Sequence, residues 1–206
     1  MSVSNSEQKS VGQVTNDIIQ KIEREKEHRA AVLARLRNSI GKPLVEAGDV
    51  WPLLFENMPQ QYLGRCGEET KEEQAVYMTL QLYAMCMQGA SGAVISDPSY
   101  KGTIGMSLRN GRDPDDSKAL DRRFNALITA DTFAELVHHL RQLMKIVKSK
   151  KDKKEMIVNF ERLADDLYRY INGKKHRVCF RWAQDYYSIT DKNQEENKNE
   201  EGSSNE

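Results

Sequence analysis

Asp131-Thr132-Phe133-Ala134-Glu135-Leu136-Val137-His138-His139-Leu140-Arg141-Gln142-Leu143-Met144-Lys145-Ile146-Val147 is the stretch that decides the fold class. Phe133, Leu136, Val137, Leu140, Leu143, Met144 and Val147 recur at intervals of three and four, which places them on one face of an α-helix. Asp131-Thr132 supplies an N-cap, and Glu135 stands at the capping-box position. On the same winding, Arg141, Lys145 and Lys148 fall within about 60° of one another beside the apolar face.

Working outward, the other long segments read the same way. Val11–Ser39 has helical spacing with a charged break at Glu23–Arg29, and Asn38-Ser39-Ile40-Gly41-Lys42-Pro43 stops it. A short segment follows at Val50–Phe55. Thr70-Lys71-Glu72-Glu73 is a capping box opening a helix toward Gly89, with Ala75, Val76, Leu80, Tyr83, Ala84 and Met87 as its apolar set. Residues 89–103 read as a loop and Ile104–Asn110 as a short turn. Asp113, Asp115 and Asp116 suit the N-terminus of a helix carrying Leu120, Phe124, Leu127 and Ile128. A lysine-rich link at 148–154 precedes a helix over Met156–Ile171, which Gly173 stops. Lys174–Tyr187 forms the last helix, with Val178, Trp182 and Tyr186 on its buried side. Ala93–Ile95 is the only β-like scrap. The fold class is all-α, followed by an acidic tail over 188–206 that is too polar to pack and is expected to be disordered.

The chain has 206 residues, enough for one domain or two small subdomains with a real core. With 38% hydrophobic and 30% charged residues, no apolar run approaches the ~18 residues of a membrane span. The opening MSVSNSEQKS lacks the pattern of a secretory signal. Cys66, Cys86 and Cys179 are odd in number and far apart, with no CxxC, so they read as reduced thiols of a cytoplasmic protein. The net charge is zero, but it is unevenly spread. Residues 1–27 sum to −1 and 188–206 to −4, which leaves +5 over 28–187. Within that middle, 141–154 holds seven bases and one acid, and 169–181 holds five bases and no acid.

No arrangement of catalytic residues emerges. Ser39-Ile40-Gly41-Lys42 fits an SxxK spacing but lacks its partner motifs, and a helix end explains it. Asp165 and Asp166 read as a solvated face rather than a metal pair. Adjacent His138 and His139 point about 100° apart on a helix and cannot chelate one ion together. Gly102-Thr103-Ile104-Gly105 is too short for a phosphate loop. The chain is therefore expected to be no enzyme and to need no metal or cofactor.

The basic segments carry more information. Lys174, Arg177 and Arg181 repeat the pattern of Arg141, Lys145 and Lys148 on the flank of the last helix. Two cationic stripes can follow a phosphate backbone. They can equally be solvated faces whose cations sit near helix C-termini. The second reading corresponds to a helical adaptor that makes only protein contacts.

Several motifs together resemble the CasB family, the small subunit of the type I-E CRISPR Cascade complex. They are Gly102-Thr103-Ile104-Gly105-Met106-Ser107-Leu108, Asp121-Arg122-Arg123-Phe124-Asn125-Ala126-Leu127-Ile128, Ala130-Asp131 and Leu140-Arg141-Gln142-Leu143. Gly173-Lys174-Lys175 and Arg37-Asn38-Ser39 fit as well. The resemblance covers roughly residues 30–187. It implies a non-catalytic protein of two small helical subdomains, set at 1–110 and 111–187. Two copies would sit head to tail in the complex and touch guide RNA, target DNA and the displaced strand, while base pairing reads the sequence. Carried over by position, the implied phosphate contacts are Arg37, Lys71, Arg122, Arg123, Arg141, Lys174 and Lys175. The chain has Thr129 and Gln142 where the family can carry arginine, and Lys145, Lys148 and Arg177 stand where they can compensate.

Overall fold

The computed structural model describes residues 9–89, 94–112, 117–149 and 156–188. The acidic run 113–116, the lysines at 150–154 and the tail from 189 lie outside the described residues. Nine α-helices are described: α1 (Val11–Arg24), α2 (Lys26–Asn38), α3 (Trp51–Phe55), α4 (Lys71–Cys86), α5 (Ile104–Arg109), α6 (Lys118–Ile128), α7 (Phe133–Ser149), α8 (Phe160–Arg169) and α9 (Lys175–Tyr187). Two three-residue strands, β1 (Val94–Ser96) and β2 (Met156–Val158), and short 3-10 or π turns at Leu44–Glu46, Gly48–Val50, Gln60–Tyr62 and Tyr170–Lys174 are described as well. No helix among the described residues is long and apolar enough to cross a membrane.

The N-terminal stretch forms two helices rather than one. Glu25 leaves helical geometry (φ −84°, ψ 64°) inside the charged run, which offers no apolar stripe to hold it straight. The Arg29 guanidinium reaches back across the break to Glu23 at 2.8 Å, and the Tyr83 hydroxyl donates to the same carboxylate. Burial pushes the Tyr83 phenol well above its usual range, and the Glu23 contact adds to the shift.

Helix α4 forms the centre of the molecule. Thr70 and Glu73 close the expected capping box. The sequence marks one apolar face, but Tyr77, Leu82, Met85 and Cys86 are buried as well, and over residues 79–86 α4 is enclosed on all sides. Helices α1, α2, α7 and α8 pack against it. A helix that is apolar all round belongs at the centre of a bundle, because any exposed face would leave apolar surface in water. Gly89 takes positive φ (61°), but the helix itself ends at Cys86 and Met87 caps it.

The second half departs from the sequence reading at its edges. Met156-Ile157-Val158 is a strand, paired in parallel with Val94-Ile95-Ser96, and α8 starts only at Phe160, where the Asn159 side chain accepts from the Arg162 N–H at 2.8 Å. The turn at Ile104–Asn110 is a helix, α5, laid against α9. Gly105 makes that approach possible, because a Cβ there would lie 2.1 Å from the Trp182 carbonyl oxygen. The chain turns between α8 and α9 at Gly173, whose φ of 80° suits glycine.

The carboxylates Asp165 and Asp166 do not lie on a solvated face. Asp165 accepts from the Gly12 N–H at 2.8 Å and from the Ser10 hydroxyl at 3.3 Å, so α8 supplies a cap to α1. Asp166 is 1% exposed. One continuous hydrophobic core runs from Val11 to Tyr186, with α8 against α1 and α4 and α9 against α5 and α6.

Candidate nucleic-acid interface

The sequence-assigned cations fall into three places. The first is the seam between α4 and α7. Arg141 lies within electrostatic reach of the Tyr77 phenol in the first half of α4, and Lys148 reaches the carbonyls of Met85 (3.1 Å) and Gln88 at its end. The two helices therefore run in the same direction. Arg37, from α2, donates to the Ala84 carbonyl at 3.5 Å. Thus Arg37 and Lys148, from two different helices, meet the carbonyl end of α4, where the helix dipole and orphan acceptors favour cations.

The three-residue stripe on α7 does not project evenly into solvent. Lys145 is exposed, whereas Arg141 and Lys148 are half-buried. Burial lowers the pKa of both, and the nearby Arg37 charge lowers that of Lys148 further. The difference follows from α4: its buried flank draws in the aliphatic stems, and its carbonyls take the Lys148 ammonium. Burial also pushes the neighbouring Cys86 thiol up to about 12.

The second place is the turn at the opposite end of α4. The Lys71 ammonium donates to Asn172 Oδ1 at 3.1 Å. Lys175 pairs with Asp131, just before α7, at 3.4 Å. Lys174 and Arg177 are exposed beside them. The third member of the α9 stripe is elsewhere: the Arg181 guanidinium binds the buried Asp166.

The third place is the outer side of α6. Arg122 and Arg123 are exposed there, opposite the buried Leu120, Phe124 and Leu127. Arg123 donates to the Ala119 carbonyl of its own helix at 3.2 Å. No hydrogen bond or ion pair among the described residues joins this pair to the other two groups.

The sequence reading missed the cations that serve the fold. Arg112 forks onto Asp121 at 2.9 and 3.1 Å, and that carboxylate also accepts from the Tyr186 hydroxyl. Arg109 donates to Ser188, and Arg162 to the Lys101 carbonyl. The one signal available was position, since these arginines stand near segment ends where free carbonyls and acids gather.

An almost all-helical chain whose basic side chains gather along one helix seam, at one helix turn and on the outer side of α6 is the class of protein defined here. The family model for the CRISPR-associated protein Cse2 matches residues 32–187, and the chain belongs to that family. It is similar to a Cse2-family CRISPR-associated protein from Thermus thermophilus, at 25% identity and a TM-score of 0.64, over 88% of this chain and 100% of that one. It also shares its fold with CasB from Thermobifida fusca (21% identity, TM-score 0.62, 86% and 96% covered). CasB from M. ruber matches likewise (22% identity, TM-score 0.55, 95% and 99% covered). No curated protein sequence matches the chain.

Proposed function

We propose that this chain is the non-catalytic small subunit of a type I-E CRISPR Cascade complex. In this reading it works in the cytoplasm beside other Cascade subunits and a second copy of itself. It steadies guide RNA–target DNA and the displaced strand through backbone phosphates, with no base-specific readout. Membership of the Cse2 family carries the proposal. The seam and turn cations are its chemical support: Arg141 and Lys145 along α7, with Lys71, Lys174, Lys175 and Arg177 continuing toward the far end of α4.

A second reading, a helical adaptor without nucleic-acid contact, draws on a different observation. Arg37 and Lys148 close the end of α4, Arg169 and Arg181 are committed to the buried Asp166, and Arg112 to Asp121.

The exposed cations separate the two. A triple variant, Lys145→Gln, Lys174→Gln and Arg177→Gln, removes charge without touching the core. Binding to random single- and double-stranded DNA should weaken for every sequence. Each lost phosphate contact lowers the slope of log K against log salt by roughly 0.7–0.9, so the triple variant should lose about two units. An unchanged slope in a folded variant would establish the adaptor.

A further inference from the structure

Three of the six large hydrophobic side chains exposed among the described residues gather in one place: Val45 (57%), Trp51 (40%) and Phe55 (40%). They line a groove of about 560 Å³ together with Leu44, Leu63, Glu68, Glu69 and Glu73. The groove lies between α3 and the loop leading into α4, and no seam cation is part of its lining. Its aromatic wall is fixed. The Trp51 indole donates to the Leu44 carbonyl at 2.8 Å, and the Trp51 and Phe55 rings stack with centroids 6.3 Å apart.

The opposite wall is acidic. Glu73 is spent on the loop, accepting from Gly64 and Thr70. Glu69 is not: its Oε1 is shut off from solvent and has no hydrogen-bond partner among the described residues. Burial raises the Glu69 pKa, and the neighbouring Glu73 charge raises it further. No cation lines the groove to offset either effect. A carboxylate oxygen shut off from water without a partner is costly, and a cation pairing with the half-buried Glu69 side chain offsets part of that cost. Phosphate is repelled by this wall, so the occupant is not nucleic acid.

We propose that this groove docks a segment of a partner protein that presents a lysine or arginine among apolar side chains. The cation pairs with Glu69 and lies against the face of Trp51, where cation–π attraction adds to the ion pair. The flanking apolar residues cover Val45, Phe55 and Leu63. No residue lining the groove belongs to the proposed phosphate track, so each can fail alone.

Selection from a phage-displayed library of random dodecapeptides against the full chain tests this. Enriched peptides should share one basic residue flanked by apolar ones. Their affinity for Glu69→Gln should fall about tenfold or more, as expected when one partner of a desolvated charge pair is neutralised, and it should also fall for Trp51→Ala. Lys145→Gln should leave peptide binding unchanged, and Glu69→Gln should leave the DNA salt slope unchanged. Because Trp182 is fully buried, peptide-dependent protection of tryptophan fluorescence from iodide reports Trp51 directly and checks the site in the unmodified protein. A consensus without a basic residue, no enriched peptide, or binding indifferent to both substitutions would overturn the proposal.

Discussion

Asp166 on α8 accepts a hydrogen bond from the Trp182 indole of α9 at 2.8 Å, with both side chains buried. The same carboxylate holds Arg169 at 3.3 Å and also binds Arg181. Two helices that meet across the turn at Gly173 are thus locked by one anion serving three donors. Asp166→Ala would leave the indole N–H without its partner and two guanidiniums without their anion. Both arginines are partly exposed and recover some hydration. The expected loss is therefore about 3 kcal/mol, the lower end for breaking a buried pair, which urea denaturation would measure. A loss within about 0.5 kcal/mol, the scale of an ordinary surface change, would mean that the node adds nothing to stability.

Gly105→Ala should destabilise the protein, although alanine favours helices over glycine by about 1 kcal/mol. The added Cβ meets the backbone of α9 at Trp182, not a movable side chain. Separating α5 from α9 should cost about 1–3 kcal/mol, as overpacking does. A thermal melt shows the sign directly, and a higher Tm would mean that the helices separate freely.

Lys148→Met keeps the aliphatic stem but removes the ammonium from the α4 carbonyls. The expected cost is about 1 kcal/mol, or a Tm lower by roughly 2–4 °C for a chain of this size. Lys145→Gln, on the same helix but exposed, should leave Tm unchanged. Equal effects of the two substitutions would show that the cap is idle.

The Arg112 guanidinium holds the Asp121 carboxyl below its ordinary value of 3.8, and the Tyr186 hydroxyl helps. A depressed folded pKa stabilises above the unfolded value and stops doing so as pH falls through the folded one. The stability gap between wild type and Arg112→Gln should therefore be constant at neutral pH, at under about 1 kcal/mol for so exposed a pair. It should narrow once the pH drops below 3.8. Urea midpoints of both proteins from pH 7 down to acid would reveal a gap that closes or one that persists.

Local chemistry made much of this protein legible. The α7 stripe, the Thr70–Glu73 capping box, the turn at Gly173 and the burial of Trp182 and Tyr186 all depend on residues a few positions apart. A 3.6-residue period and a cap are properties of a single segment, so no knowledge of neighbours is needed to read them.

What only the tertiary structure decided depends on partners distant in sequence. Met156-Ile157-Val158 becomes a strand because Val94-Ile95-Ser96 offers it an edge. Asp165 and Asp166 look like surface acids until α1 and α9 bring them a helix N-terminus and an indole. Among the cations, the sequence determined which residues are basic and which helix faces they share. Packing decided that Lys145 stays exposed while Lys148, one turn further along, closes the end of α4. The reason is electrostatic: a cation next to unpaired carbonyls binds them, and whether such carbonyls lie nearby is set by the path of the whole chain.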